Sequence, residues 1–506
     1  MDRPVGKPEQ KPCASQSPGA PAPGVMPGRD HVSGAVIFSL SILAAFVVVR
    51  IVMHVIYPYP LDVGEGTDID AAWRVANGRS IYNIVTEPPY FFTIYNPVLF
   101  YLSGLVLWLA GPVTAAARMV SVAFYAGAAV VIYLFIRRET SSAKAAVIAA
   151  LFFVVERHVM SRAGYLVTDW PGIFFSLLGL YLWRAEGGRR YWAVVSFALA
   201  FFSKQTSLIA AAAAFSALFL EGKRGGSIKM FAVFLAFVAA GLTLCGLLFG
   251  RPYFINTLRY ASIAPLEIHR SFRHIAVTLA LYIVPMAAWP VLAVKSIKDR
   301  RLLLVALYGF FGLLMAFMSG KVGASRSYLF DLAAALSLVV GLLWVKVEAL
   351  SRAGKISFAV AAVITVQVFL AAVGANYRFG IYGDKTNSDF LADTAIHEAF
   401  QTTDGMIFLR APGFTIGSRA EGASDDFYKM TQMIEAGALT EEVFLKPVRE
   451  KKFAMVIMPV DEGPWILFSP AIQDAITEHY KIESEVYGQL FLVPRKDGDV
   501  EDTESF

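Results

Sequence analysis

The chain contains 506 residues, 56% of them hydrophobic, and its mean hydropathy of +0.55 excludes an ordinary soluble protein, whose apolar share is about 45–50%. The net charge of +5 is modest, and the basic residues lie between apolar runs, which disfavours nucleic-acid binding. The only two cysteines, Cys13 and Cys245, indicate neither a disulfide framework nor a metal–thiolate site.

Residues 1–32 are rich in Pro, Gly, Ser and Gln, a composition that predicts a disordered tail. No short apolar region precedes a small-residue cleavage site, so a cleavable signal peptide is not expected. The next run, Ser33 to Tyr57, is almost wholly apolar and long enough to remain in the membrane as an anchor.

Repeated apolar runs predict an all-α polytopic membrane domain over residues 33–374, with about eleven transmembrane helices. The expected spans are 33–57, 113–136, 142–160, 169–184, 190–203, 205–220, 229–249, 274–294, 302–318, 328–346 and 356–374. Basic clusters fall in alternate loops, which predicts a cytoplasmic N-terminus. After an odd number of crossings, the C-terminal segment is then expected outside the cytoplasm.

Two stretches are too short for simple spans. Within the first outer loop, residues 58–111, the apolar segment Pro97 to Ala110 falls short of the roughly 20 residues that a crossing needs. We therefore expect it to be an interfacial helix. The runs 190–203 and 205–220 are read either as two spans or as one broken helix pair.

Residues 375–506 have the hydropathy of a soluble domain and are predicted to form a small extracytoplasmic α/β domain with an acidic tail. The expected strands are Met406–Leu409, Phe453–Met458 and Leu490–Val493, and the expected helices are 425–436, 440–450 and 470–479.

Unusual polar residues collect on the predicted outer face. The first outer loop holds Asp62, Glu65, Asp68 and Asp70 directly after an apolar run, where carboxylates are costly unless they are hydrated or paired. Later outer loops contribute an acid and many cations, which are Arg162, Asp169, Lys204, Arg251, Arg259, His269, Arg270, Arg273, Lys321 and Arg326. A carboxylate facing cations is the arrangement of a general base beside a bound phosphate.

Each of these residues also has a structural interpretation. Asp62 and Asp169 stand where they would cap helices. Extension of a long side chain towards the membrane interface also accounts for Lys204, Lys321 and Arg326. Arg270 can contact lipid headgroups. No phosphate-binding glycine loop and no zinc-ligand spacing are present. Acid-rich loops bind a divalent cation such as Mg²⁺ or Mn²⁺ without a readable motif, so metal dependence stays open.

The sequence resembles the GT-C fold glycosyltransferases at several degenerate motifs. The first outer loop matches at Asp62-Val-Gly-Glu65-Gly and at Tyr95-Asn-Pro97. Further matches are Arg162-Ala-Gly-Tyr-Leu-Val-Thr-Asp169, Ser203-Lys204-Gln205, Gly320-Lys-Val-Gly with Tyr328, Pro412-Gly-Phe and Lys452-Phe-Ala-Met-Val-Ile457. The branch it is most similar to uses polyprenyl-phosphate sugars and includes protein mannosyltransferases, aminoarabinose transferases and bacterial glycosyltransferases of the family 39 type.

This resemblance implies an inverting sugar transfer from a polyprenyl-phosphate donor, with a first-loop carboxylate as the base. The branch carries an Asp-Glu pair where this chain has Gly64-Glu65, so the base is either Glu65 or Asp62. Asp169 matches a second acid of the site, and Lys204, Lys321, Arg326 and Arg270 are the expected phosphate-binding residues.

We therefore expect a polytopic transferase of the bacterial inner membrane that acts at the periplasmic face. The acceptor is a lipid, a glycan or a protein, and the partners are the lipid-linked donor and the bilayer, without nucleic acid. A secondary transporter is the main alternative, but it predicts paired halves and midplane charges. A non-catalytic member that has lost activity through Gly64 is a further alternative.

Overall fold

A computed structural model describes residues 30–184, 188–323, 326–352, 385–409, 412–424, 426–460 and 469–496. The described residues of the membrane part are mainly helical. Its helices are α1 (His31–Ile56), α2 (Val63–Ala76), α3 (Val98–Ala110), α4 (Thr114–Thr140), α5 (Ala143–Val155), α6 (Arg157–Met160), α7 (Asp169–Trp183), α8 (Arg189–Ser203), α9 (Ile209–Leu220), α10 (Arg224–Phe249), α11 (Arg251–Phe254), α12 (Ile268–Leu281), α13 (Ile283–Ser296), α14 (Leu303–Ala316) and α15 (Phe330–Arg352).

Five helical segments among the described residues are long and apolar enough to cross a bilayer: α1, α4, α10, α15 and the segment Arg300–Gly320 that contains α14. The pair α12 and α13 adds a sixth crossing if it counts as one span, although its halves meet at 95°. Ten of the eleven predicted runs coincide with helices, and the eleventh, 356–374, lies outside the described residues. The polytopic helical architecture is confirmed, whereas the number of crossings remains a prediction.

The helices of the bundle pack closely through aromatic rings and small residues. Trp170 on α7 stacks on Phe330 at the start of α15, with ring centroids 4.8 Å apart. At Gly179, also on α7, a side-chain carbon would lie only 2.3 Å from the ring of Phe197 on α8. Because that space is filled by the ring, glycine permits the close approach of the two helices.

The C-terminal domain is built on a five-stranded sheet with the order β2-β1-β3-β5-β4. Its strands are β1 (Met406–Leu409), β2 (Glu421–Gly422), β3 (Phe453–Pro459), β4 (Tyr480–Val486) and β5 (Gln489–Pro494). Its helices are α16 (Asn387–Thr402), α17 (Phe427–Glu435), α18 (Glu442–Arg449) and α19 (Pro470–His479). The strands β1, β2 and β3 pair in parallel, and β5 pairs antiparallel with both β3 and β4. The three predicted strands and three predicted helices all lie where expected, while β2, β4 and α16 were not predicted.

Helix α2 of the first outer loop is in direct contact with the C-terminal domain. The buried carboxylate of Asp70 on α2 accepts hydrogen bonds from Gly413 N at 2.9 Å and from the Thr415 hydroxyl. A side chain at Gly66 would lie 2.0 Å from the carbonyl oxygen of Pro412, so the two backbones are in direct contact. These contacts hold the C-terminal domain over α2 and so place it beside the end of the bundle from which residues 58–111 extend.

Candidate active site

A cavity of about 680 Å³ lies where the first outer loop, the helical bundle and the C-terminal domain meet. Its charged lining residues come from all three parts of the chain. They are Asp62, Asp68, Arg162, Asp169, Lys204, Arg270, Lys321, Asp426 and Lys429. The acids of α2 form one wall, and the cations of the later loops lie around the rest of the cavity.

Glu65 does not line this cavity. It is fully buried and forms an ion pair with the equally buried Arg118 on α4, with one carboxylate oxygen 2.8 Å from a terminal guanidinium nitrogen. Its two oxygens also accept backbone hydrogen bonds from Leu61 N at 2.7 Å and Leu166 N at 2.9 Å. Arg118 donates further to the carbonyls of His54 and Tyr57. The carboxylate predicted as one alternative for the base therefore ties α2 to α4 and has no solvent access.

Asp62 occupies the N-cap of α2 and faces the cavity. One carboxylate oxygen accepts a hydrogen bond from Glu65 N at 2.8 Å, as the sequence suggested for a capping residue. The other oxygen forms an ion pair with Arg162, and about one third of the Asp62 side chain is exposed. Asp62 thus combines a fixed position with access to the cavity, which Glu65 lacks.

Asp68, six residues after Asp62 and within α2, is a lining residue that the sequence analysis did not select for the site. The residue is only 4% exposed, and no hydrogen-bond donor to its carboxyl group is found among the described residues. Burial raises the pKa of this carboxyl well above its ordinary value, and the nearby carboxylate of Asp169 adds to the effect. The available signal was its place among the acids of the first outer loop, directly after an apolar run.

Asp169 and Lys204 form a mostly buried ion pair in the lining of the cavity. Asp169 lies in the first turn of α7, and Lys204 is the C-cap residue directly after α8. The Lys204 ammonium donates to the Asp169 carboxylate and to the Ser327 hydroxyl, the latter at 3.2 Å. It also lies 4.8 Å from the centre of the Tyr328 ring. These contacts fix a lysine at the cavity while leaving part of its hydrogen-bonding capacity for a ligand.

The remaining predicted cations are placed differently from one another. Lys321 lines the cavity and donates to the carbonyl of Ala261, and partial burial lowers the pKa of its ammonium group. Arg270 also lines the cavity and forms a 3.6 Å ion pair with Glu267. Arg326 is exposed and does not line the cavity, although its neighbour Ser327 does.

The C-terminal domain contributes charged residues that the sequence analysis missed. Asp426 caps α17, where its carboxylate accepts a hydrogen bond from Lys429 N at 2.8 Å. The Lys429 side chain is buried at the cavity, and burial, followed by the positive charge of Lys321, lowers its pKa to about 8. Burial raises the pKa of Asp426 to about 6. No local pattern identifies Lys429 as a member of a cationic site, because the other cations of the cavity are more than 100 residues away along the chain.

Across the described ranges, no group of three or more His, Cys, Asp and Glu side chains is arranged to hold a metal ion. Two of the acids of the cavity are paired with cations, in the pairs Asp62–Arg162 and Asp169–Lys204.

The chain is similar to known proteins both in sequence and in fold. Residues 93–249 match the family model described as dolichyl-phosphate-mannose-protein mannosyltransferase. No curated protein sequence matches the chain. A crystal structure of ArnT from Cupriavidus metallidurans bound to undecaprenyl phosphate superposes with a TM-score of 0.60 at 12% identity, covering 89% of this chain and 97% of that one.

A second similar structure is the archaeal oligosaccharyltransferase AglB from Archaeoglobus fulgidus, in complex with an inhibitory peptide and a dolichol-phosphate. It superposes with a TM-score of 0.50 at 14% identity and covers 92% of this chain and 75% of that chain. At such low identity these likenesses show the fold, which is the predicted GT-C fold. Together with the family match, they confirm the recognition of a membrane-embedded GT-C fold glycosyltransferase.

Proposed function

We propose that the chain transfers a sugar from a polyprenyl-phosphate donor to a lipid, glycan or protein hydroxyl at the periplasmic face of the bacterial inner membrane, with inversion at the anomeric carbon. The observation that carries this proposal is the cavity in which acids of α2 face Lys204, Arg270, Lys321 and Lys429. Such a cavity holds a negatively charged leaving group beside a proton acceptor.

In this proposal the cations bind the phosphate of the donor. Lys204, Lys321 and Arg270 were expected to do so from the sequence, and Lys429 joins them from the C-terminal domain. As the bond between the anomeric carbon and the phosphate oxygen breaks, its electron pair passes to the phosphate. The negative charge on the phosphate therefore grows, and fixed cations stabilise it more strongly than in the ground state.

Asp62 is the proposed base. The acceptor oxygen attacks the anomeric carbon from the side opposite the phosphate while its proton passes to the Asp62 carboxylate. Glu65 is the less suitable alternative because four hydrogen bonds already occupy its two oxygens and no solvent reaches it. Asp169 is proposed to orient Lys204, because its carboxylate pairs with that ammonium group and its side chain is only 14% exposed, against 33% for Asp62.

Asp68 is proposed to bind a hydroxyl group of the donor sugar. Its carboxyl lines the cavity, and its raised pKa favours the neutral form, which both donates and accepts hydrogen bonds. Arg326 has no part in the proposed site, because its exposed side chain lies outside the cavity lining.

The test is lipid-linked-sugar profiling in a strain that lacks the gene, followed by transfer assays with the purified full chain. We expect one polyprenyl-phosphate sugar to accumulate in the strain and the purified chain to consume that donor. The variant Asp62→Asn should still bind the donor but turn it over far more slowly. Solute uptake into proteoliposomes with no donor consumption would instead support a transporter and refute the proposal.

A further inference from the structure

A second cavity, of about 520 Å³, lies at the other end of the helical bundle. The ends of α4, α7 and α9 meet the starts of α8 and α14 around it. Six cationic side chains line it, and they are Arg138, Arg184, Arg190, Lys223, Arg300 and Arg301. The lining includes only two acids, Glu139 and Glu221, so the cations outnumber the acids by four.

The two acids neutralise only two of the cations. Arg184 lies 3.2 Å from Glu139, and Lys223 lies 3.7 Å from Glu221. The other four have no carboxylate within 4.0 Å among the described residues, and they are Arg138, Arg190, Arg300 and Arg301. Like charges gathered around one cavity repel one another unless an anion lies between them.

Several of these guanidinium groups are held in place by the bundle. Arg138 donates to the carbonyl of Arg184 at 2.5 Å, and Arg190 lies 5.7 Å from the centre of the Trp183 ring. The Nε atoms of Arg184 and Arg190 are buried, and within the described ranges they have no hydrogen-bond partner. Arginine presents planar donors that match phosphate oxygens, so these groups are suited to a phosphate.

This cavity and the donor cavity lie at opposite ends of helix α7. Helix α7 begins at Asp169 in the first cavity and ends at Trp183 in the second. Its 15 residues, at a rise of about 1.5 Å each, separate the two cavities by roughly 22 Å. The positive-inside tendency accounts for cations at this end of the bundle, but not for their convergence on one cavity.

We propose that this second cavity is a binding site for a phosphate-bearing anion, supplied either by the headgroup of an anionic phospholipid or by free phosphate. This site is separate from the donor cavity and does not depend on the proposed transfer reaction.

The test measures binding of two probes to the purified full chain in detergent. Retention of phosphatidylglycerol, with phosphatidylcholine as the neutral comparison, is followed by native mass spectrometry, and inorganic phosphate binding is followed by calorimetry. The test variant is R190Q/R300Q. The control is R189Q/K298Q, which removes the same charge from adjacent residues outside the cavity lining. The single variant R300Q, at an exposed position, covers the case in which the double variant fails to fold.

A drop of roughly tenfold in phosphatidylglycerol retention in R190Q/R300Q, with the control unchanged, would support the proposal and identify a lipid headgroup. Calorimetric binding of inorganic phosphate that is lost only in R190Q/R300Q would support it and identify free phosphate. The proposal is overturned if the test and control variants bind both probes equally, whether both match the parent or both lose binding to the same extent.

Discussion

Glu65 and Asp62 lie three residues apart at the start of α2, and each carboxylate pairs with an arginine. The Glu65–Arg118 pair is fully buried, whereas the side chains of Asp62 and Arg162 are 33% and 28% exposed. The first pair ties helices together, and the second lies at a cavity. Pairing alone therefore does not separate a structural carboxylate from a reactive one, and access to the cavity does.

The largest effect is expected from breaking the buried pair. Arg118→Ala leaves the Glu65 carboxylate buried without its cation, which should lower the free energy of unfolding by about 3–5 kcal/mol. Denaturant unfolding of the purified chain in detergent measures this loss. Arg162→Ala is the matched control, and it should cost about 1 kcal/mol or less because that pair is partly exposed. Equal losses in the two variants would contradict the distinction between the pairs.

The partly exposed pair should instead control the reaction. Asp62→Asn is expected to lower kcat for sugar transfer by about 10²–10⁴-fold, the usual contribution of a general base. Because asparagine caps helices as well as aspartate does, the melting temperature should stay close to that of the parent. Transfer kinetics and thermal unfolding of the same preparation check both parts. A kcat near the parent value would remove Asp62 as the base.

A third comparison separates two cations of one loop. Lys321 lines the cavity and Arg326 does not. Lys321→Gln should raise KM for the donor about tenfold, which corresponds to the loss of ~1.4 kcal/mol from a charged hydrogen bond. Arg326→Gln should leave KM within about twofold, and similar increases in both would show that the cavity lining does not define the donor site.

The smallest effect is a dependence on pH that arises from Lys429. Burial lowers its pKa to about 8, so the ammonium group loses its proton as the pH rises through that value. Since only the charged form attracts the donor phosphate, kcat/KM for the donor should fall severalfold between pH 7 and 9. Lys429→Arg should abolish this fall because arginine stays charged. A fall that persists in Lys429→Arg would assign it to another group.

Much of the architecture follows from local patterns in the sequence. Each apolar run predicts its own helix, because the signal is the hydrophobicity of residues that are adjacent in the sequence. The helices α1, α4 and α10 and the strands β1, β3 and β5 therefore lie where the sequence predicts them. The run 274–294 was predicted as one span but is divided into α12 and α13, a bend that its composition does not report.

The candidate site was only partly accessible to sequence reasoning. Asp62, Asp169 and Lys204 were selected because ionisable groups beside apolar runs are unusual, and all three line the cavity. The same reasoning selected Glu65 and Arg326, which do not line it. Charge in an outer loop is visible in the sequence, but the direction in which the side chain faces is not.

The sequence by itself determined that this is a helical membrane protein with acids after its first span and an α/β domain at its end, because hydrophobicity and turn chemistry act over a few residues. Only the tertiary structure decided which acid reaches the cavity. Glu65 is sealed by Arg118 and Leu166, which are 53 and 101 residues away, and Lys429 enters the site from another domain. Such contacts depend on how distant elements pack, and packing sets burial and hence reactivity.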